Sequence, residues 1–237
     1  MDTVSRHDAR RGEAGTLDVV EQELRTPGAA GVAGLVFAGL FCASLILLYR
    51  QPRQQTAAEI AAWYFRHHAT AIGLVGVYLV PFAGIAFLWF VAAVRSRIGN
   101  REDRFFATVF LGSGILFVAM LYGAASAAGA SLGAIKFQGA PAPTPDVFVF
   151  ARGLAYTLLY VYAMRAAAVF VIVTSTIGLR TGALPRWIVF VGYVVALALM
   201  LSVSYFRGIV FVFPAWVAAV SVEMLVRAGG ERALRRE

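Results

Sequence analysis

The chain contains six long apolar runs, separated by connections that carry arginine. A stretch of about 20 apolar residues is long enough, as a helix, to cross a hydrocarbon core roughly 30 Å thick. Inside lipid the backbone must satisfy its own hydrogen bonds, which favours helices over loops or open strands. The pattern predicts an all-α, polytopic membrane protein with six transmembrane helices, at residues 28–49, 69–94, 105–132, 147–179, 187–206 and 208–226.

The connections predict how these helices are arranged. Most are short, which favours antiparallel neighbours in an up-down bundle. Thr56 and Glu59 form a capping-box pattern ahead of Trp63, which predicts a short helix at the outer interface before the second span. Residues 1–26 form a cytoplasmic tail, either a surface helix or disordered, residues 27–228 form the transmembrane domain, and residues 229–237 form a second cytoplasmic tail.

Composition supports a membrane environment and limits the range of partners. The chain is 60% hydrophobic and 14% charged, against roughly 45–50% and 25% in soluble domains. Its net charge of +8 raises the question of nucleic acid. However, the arginines lie at the ends of apolar runs, and no basic face is interleaved with stacking aromatics. We therefore expect membrane lipids as partners and no nucleic acid.

The distribution of basic residues predicts the orientation. Fourteen of them lie on the side of both chain termini and six on the other side. Because cytoplasmic loops carry the excess of Arg and Lys, both termini are predicted to be cytoplasmic. Lys136 is the single lysine beside abundant Ala, Val, Gly and Arg, a bias typical of GC-rich bacterial genomes. The predicted location is a bacterial plasma membrane.

Arg165 is the most distinctive residue, since it lies near the middle of the fourth run. A charge at the bilayer centre costs about 2.5–3.5 kcal/mol on insertion scales and needs a partner. Glu223 lies at a similar distance into the sixth run, which predicts a buried ion pair, while a local pair of Glu223 with Arg227 is the alternative. Arg165 and Tyr162 either bind an anionic group or a transported substrate, or the ion pair fixes helix packing.

Two runs carry small residues at four-residue spacing, a pattern that lets helices approach closely. Three alternatives remain open for them: helix packing within the monomer, a dimer face, or a ligand groove. The small residues are Ala30, Gly34 and Ala38 in the first run, and Ala125, Gly129 and Gly133 in the third.

The sequence contains no motif for catalysis, metal or cofactor binding. It has no P-loop, no dinucleotide fingerprint and no carboxylate cluster within the runs. His67 and His68 are adjacent, so on a helix they point about 100° apart and do not readily hold one ion. We expect no metal, no cofactor and no catalytic residue, and the pattern does not favour an enzyme.

Two segments carry a family resemblance. They are residues 61–98 and residues 178–200, the latter with Arg180, Gly182, Pro185, Arg186 and Trp187 before the fifth run. Both resemble uncharacterised six-helix integral membrane proteins of bacteria, common in actinobacteria and of unknown function. The resemblance implies six helices and cytoplasmic termini, and it transfers no catalytic residue.

Three functional hypotheses follow from the sequence. The leading one is a non-enzymatic accessory or assembly component that forms a homo-oligomer or binds a membrane protein partner. The alternative is a small transporter, or a membrane protein that binds a lipid or another anionic ligand at a buried site around Arg165. An enzyme acting on lipids is third, because no nucleophile–base arrangement is visible.

Overall fold

The computed structural model describes residues 27–49, 69–98, 104–141, 143–201 and 207–234. In these ranges the chain forms six helices and no strand. Five of the helices are long and apolar enough to cross a membrane. The all-α, polytopic prediction is therefore confirmed, while the predicted interfacial helix around Thr56 and the tail at residues 1–26 lie outside the described residues.

The helices follow the six predicted runs. α1 is Pro27–Tyr49; α2 (residues 69–98) joins Ala69–Leu74 to Val80–Ile98 through a π-helical turn at Val75–Leu79; α3 is Arg104–Gln138; α4 is Pro145–Thr181 with a π-helical turn at Thr157–Ala163; α5 is Arg186–Leu201; α6 (residues 207–234) begins with a 3-10 turn at Arg207–Phe211 and continues as Val212–Leu234.

Helix lengths differ from the prediction in an informative way. α3 spans 35 residues and α4 spans 37, so at roughly 1.5 Å per residue each exceeds 50 Å. Both extend well past a core of roughly 30 Å. In contrast, the described part of α5 has 16 residues, and α6 continues to Leu234, beyond the predicted end of the transmembrane domain.

The six helices run up and down, and this defines two ends of the bundle. Gly31 of α1 lies against Leu225 of α6, and Gly192 of α5 lies against Ser175 of α4, as expected for antiparallel neighbours. We call the end where α1 begins and α4 ends the terminal face, and the opposite end the distal face. The arginine count predicts that the terminal face is cytoplasmic.

The π-helical turn of α2, Val75–Leu79, ends two residues before Pro81. Proline has no N–H, so the preceding turn loses a hydrogen bond and its pattern must change there. α3 fixes this region, because the Tyr122 hydroxyl donates to the Pro81 carbonyl at 2.9 Å. A Cβ at Gly84 would overlap that hydroxyl, so glycine makes room for the tyrosine.

Phenylalanine side chains fill the centre of the bundle. Neighbouring ring centroids lie 4.8–6.5 Å apart, in stacked, tilted and edge-to-face arrangements. The rings come from every helix except α5, so they join five helices at one place. We call this set the phenylalanine cluster; its members, all fully buried, are Phe37, Phe41, Phe87, Phe90, Phe110, Phe117, Phe170 and Phe213.

The small-residue stripe of α1 is used within the monomer. Ala30 and Ala38 are buried. A Cβ at Gly34 would lie 2.8 Å from the Phe90 ring and would overlap the Ser221 hydroxyl. The stripe therefore receives both α2 and α6, which is the first of the three alternatives the sequence left open.

Candidate functional site

Arg165 lies in the central part of α4, the long apolar helix Pro145–Thr181. It is sixteen residues before Thr181, the last residue of α4 at the terminal face. At about 1.5 Å per residue this is roughly 24 Å, in a core roughly 30 Å thick. α4 begins about five turns before Arg165, so the helix extends well to both sides of this residue. Its mid-bilayer position stays a prediction.

The Arg165 side chain turns toward the distal face. Cα–Cβ bonds tilt toward the helix N-terminus, which for α4 is the distal end. The guanidinium Nη1 donates to the Val161 carbonyl, one turn further in that direction, at 3.0 Å. Long basic side chains near helix ends extend in this way to reach the polar boundary. The charge of Arg165 is therefore displaced from its Cα toward the distal face.

The predicted Arg165–Glu223 ion pair does not form. Glu223 accepts from Nε of Arg227 at 2.7 Å, which is the local alternative. Arg227 also donates from Nη1 to the Gly182 carbonyl at 3.4 Å, which puts this pair near the terminal end of α4. The two residues are therefore separated by about 20 Å along the bundle axis. Counts from the run ends put the two residues at the same level, whereas the contact of Arg227 with Gly182 places Glu223 beside the terminal end of α4.

Arg165 is one of the residues that line a lateral groove. The groove runs along the side of the bundle between α3 and α4, with α5 at its edge, and encloses about 560 Å³. Its lining residues are Val109, Gly112, Ser113, Leu116 and Met120 of α3, Tyr162, Arg165, Ala166 and Val169 of α4, and Met200 of α5.

The groove is apolar and opens toward the lipid. Leu116 and Tyr162 are about half exposed, and Gly112 is exposed as well. The Ser113 hydroxyl donates to the Phe110 carbonyl of its own helix at 3.1 Å, so it offers the groove little polarity. Apart from the guanidinium and the Tyr162 hydroxyl at the distal end, the lining is suited to hydrocarbon.

The floor of the groove depends on small side chains. Gly112 has open space where a Cβ would be, and Ala166 on α4 is buried beside it. From Met120 to Val109 the α3 residues descend about 16 Å along the groove. Its length and shape match an extended hydrocarbon chain that enters from the side.

A π-helical turn immediately precedes Arg165. It spans Thr157–Ala163 and includes Tyr162. Such turns add one residue to the helical repeat and frequently occur at functional sites. Tyr162 and Arg165 are three residues apart, so they lie on one side of the helix and both line the groove.

The second small-residue stripe, on α3, differs from the first. Ala125 packs against the core. At Gly129 a Cβ would contact nothing within 4 Å, and at Gly133 it would contact only the Phe137 ring of the same helix, at 4.0 Å. This stripe is not filled by another helix in the part of the chain that the structure describes.

The described residues provide no metal centre, as no group of three His, Cys, Asp or Glu side chains comes together among them. His67 and His68 lie outside the described residues. A comparison of the chain with protein-family models, with curated proteins and with solved structures finds no match.

Proposed function

We propose that this integral membrane protein binds a membrane lipid, and that the lateral groove between α3 and α4 is the binding site. The observation that carries the proposal is the groove's combination of an open apolar wall with one arginine among its lining residues. Hydrophobic clefts with a few convergent polar groups are typical ligand sites. A ligand that enters from hydrocarbon and also presents a polar group is an amphiphile.

The phenylalanine cluster favours lipid binding over transport of a soluble substrate. A transporter of that kind holds its substrate near the bilayer midplane, between helices, with polar backbone or side chains around it. In the described helices that central position is occupied by close-packed rings, such as Phe37, Phe87 and Phe117. The groove, in contrast, is lined by apolar side chains and offers a soluble ion no hydration along its length.

The test is lipid retention measured by native mass spectrometry after mild extraction. Gly112→Phe adds a ring where the glycine has open space, so it should fill the groove without disturbing the fold. We expect loss of a stoichiometric lipid that the unchanged protein retains. Gly39→Phe is the matched control, because Gly39 is also exposed on a spanning helix with open space around it, outside the groove.

Equal lipid retention by the two variants would contradict the proposal. Circular dichroism and size-exclusion profiles establish that both variants are folded. Should Gly112→Phe fold poorly, Val109→Phe narrows the other end of the groove, where the residue is half-buried. Retention that survives both changes would place the lipid elsewhere.

The accessory or assembly role is a second candidate. One observation favours it, namely the α3 stripe at Gly129 and Gly133, which no described helix fills. Small residues of this kind allow a helix of a second chain to approach closely. Native mass spectrometry also reports on this role, since it predicts a fixed oligomer or a second protein chain at constant stoichiometry, and a monomer would contradict it.

The cellular setting of the proposal is a bacterial plasma membrane with both termini in the cytoplasm. The arginine distribution and the scarcity of lysine support this setting. We also propose that the chain belongs to the actinobacterial-type six-helix group, because residues 61–98 and 178–200 resemble segments of its members. The distal face, with the Arg165 end of the groove, then lies toward the outer leaflet.

A further inference from the structure

We propose that the lipid held in the groove is a phospholipid of the distal leaflet, with its anionic phosphodiester bound by Arg165 and an acyl chain extended along α3 toward Val109. This inference rests on the proposed function, and it adds the headgroup chemistry, the leaflet and the direction of the lipid. Each of the three follows from a separate feature of the groove.

The headgroup chemistry follows from the charge of Arg165. The described side chains include two carboxylates, those of Asp146 and Glu223. Glu223 is engaged by Arg227, and Asp146 lies in the first turn of α4, about five turns from Arg165. A guanidinium presents five N–H donors, and the described contacts use one Nη group for the Val161 carbonyl. The remaining donors suit the oxygens of a phosphate.

A phosphodiester without an amine fits this end of the groove better than a zwitterionic headgroup. The ammonium of a zwitterionic lipid gains from a nearby carboxylate, and none of the described groove residues carries one. Tyr162 lies beside the arginine with a hydroxyl that can also donate to phosphate oxygen. The charge of the site is therefore positive and uncompensated among the described side chains.

The leaflet and the direction follow from depth. With Thr181 at the terminal boundary of a core roughly 30 Å thick, the Arg165 backbone lies roughly 6 Å from the distal boundary. The guanidinium extends from there toward the distal face. Phosphates of the distal leaflet occur at that level, whereas those of the other leaflet are about a full core thickness away. The apolar lining on α3 runs from Met120, on the distal side, through Leu116 to Val109, toward the terminal face. Because the guanidinium extends toward the distal face, a lipid with its headgroup there places its acyl chain along the groove toward Val109.

The first experiment compares two lipids with identical chains, phosphatidylglycerol and phosphatidylcholine, in nanodiscs of mixed composition. Native mass spectrometry of the ejected protein then gives the ratio of the two lipids retained. We expect the unchanged protein to favour phosphatidylglycerol by at least about fivefold, because the guanidinium repels the choline cation that only phosphatidylcholine carries. Arg165→Gln should bring the ratio to the bulk composition, and Arg165→Lys should preserve part of the preference.

Arg152→Gln is the matched control for charge. Arg152 also lies on α4 on the distal side, but it lies over the Tyr156 ring, 5.6 Å from its centroid, and does not line the groove. Its removal should leave the ratio unchanged. An equal fall in both glutamine variants would mean that diffuse surface charge, and not a site at Arg165, attracts the lipid, and it would overturn the proposal.

The second experiment measures direction with photoactivatable phosphatidylglycerols. A diazirine in the headgroup should label residues around Tyr162 and Arg165, and one at the chain end should label residues around Val109. Labelling at the reverse ends would overturn the inference while leaving lipid binding intact. Absence of groove labelling by either probe would instead contradict the proposed function itself.

The same assay separates a lipid from a free phosphate. Inorganic phosphate in excess should not displace the photoactivatable lipid, since it gains nothing from the apolar lining. Displacement by inorganic phosphate would show that the site recognises a soluble anion, and it would overturn the assignment to a phospholipid. Arg165→Gln should weaken headgroup labelling while chain-end labelling by phosphatidylcholine stays unchanged.

Discussion

The centre of the bundle and its lateral groove are built from similar apolar residues, yet they differ in size and access. In the centre, large rings from five helices meet, with Phe87 in contact with Phe37, Phe90, Phe117, Phe170 and Phe213. Along the groove, glycine and alanine leave space that opens to the lipid. Side-chain volume, more than polarity, therefore distinguishes the closed centre of the bundle from the open groove.

The two regions also differ in their polar content. Around the phenylalanine cluster the described hydroxyls donate within their own helices, as Ser221 does to Val217 at 2.7 Å and Thr174 to Phe170 at 2.7 Å. The groove instead ends in Arg165, whose charge has no carboxylate partner among the described residues. The centre is therefore a structural element, and changes there should separate cleanly from changes in the groove.

The largest effect on stability is expected from Phe87→Ala, because this ring touches five others. Phe→Ala in soluble cores costs about 3–5 kcal/mol. In a membrane the loss of contacts is partly made up by lipid chains, so we expect a cost on the order of 2–3 kcal/mol. Unfolding in mixed detergent micelles measures it. Phe190→Ala, at an exposed position on α5, is the control and should cost much less.

Lipid retention by a folded Phe87→Ala protein tests whether the centre of the bundle and the groove act independently. We expect the preference for phosphatidylglycerol to persist, since Phe87 does not line the groove. Loss of the bound lipid together with stability would show that centre and groove are one unit, and it would contradict their separate roles.

A smaller effect is expected where α4, α5 and α6 meet. A Cβ at Gly192 would overlap the Ser175 hydroxyl and lie 3.0 Å from Nε1 of Trp216. Overpacking of this kind costs about 1–3 kcal/mol, so Gly192→Ala should lower the free energy of unfolding by that amount. The Ser175 Oγ and the Trp216 Nε1 are buried without a hydrogen-bond partner among the described residues.

A double-mutant cycle tests this explanation. Ser175→Ala removes an unpartnered hydroxyl and should cost little on its own. Combined with Gly192→Ala it should recover part of the lost stability, since the overlapping oxygen is gone. Strict additivity of the two changes, measured by the same unfolding assay, would contradict the steric explanation.

The smallest effect is expected from Glu223→Gln, which breaks the pair with Arg227 at the terminal face. Both side chains are partly exposed, and pairs of this spacing contribute about 0.2–0.5 kcal/mol. The free energy of unfolding should fall by no more than that, and lipid retention should not change. A loss of the bound lipid in this variant would revive the predicted link between Glu223 and the Arg165 site.

The sequence predicted the helices well because the signal for a membrane helix is local. Runs of apolar residues define α1 to α6 to within a few residues at most ends. The π-helical turn before Pro81 was also foreseeable as an irregularity, since proline removes a hydrogen bond wherever the helix lies. These features need no knowledge of which helix packs against which.

The candidate site was predictable only in part. Arg165 stands out in any apolar run, but its level relative to Glu223 depends on how α4 and α6 pack, which residue counts from the run ends do not reveal. The groove depends on missing volume at Gly112, Ser113 and Ala166, residues of two different helices. The spacing of Phe37 and Phe41 indicates that they lie on one face of α1, and that of Phe87 and Phe90 indicates one face of α2. The spacing does not reveal that these two faces pack against each other.

The most direct test of lipid binding in the groove is an electron cryo-microscopy map of the protein in nanodiscs that contain phosphatidylglycerol. We expect chain-shaped density between α3 and α4, along Leu116, that ends in headgroup density at the Arg165 guanidinium. A groove closed by protein side chains, or chain density with its headgroup at the Val109 end, would contradict the proposed binding.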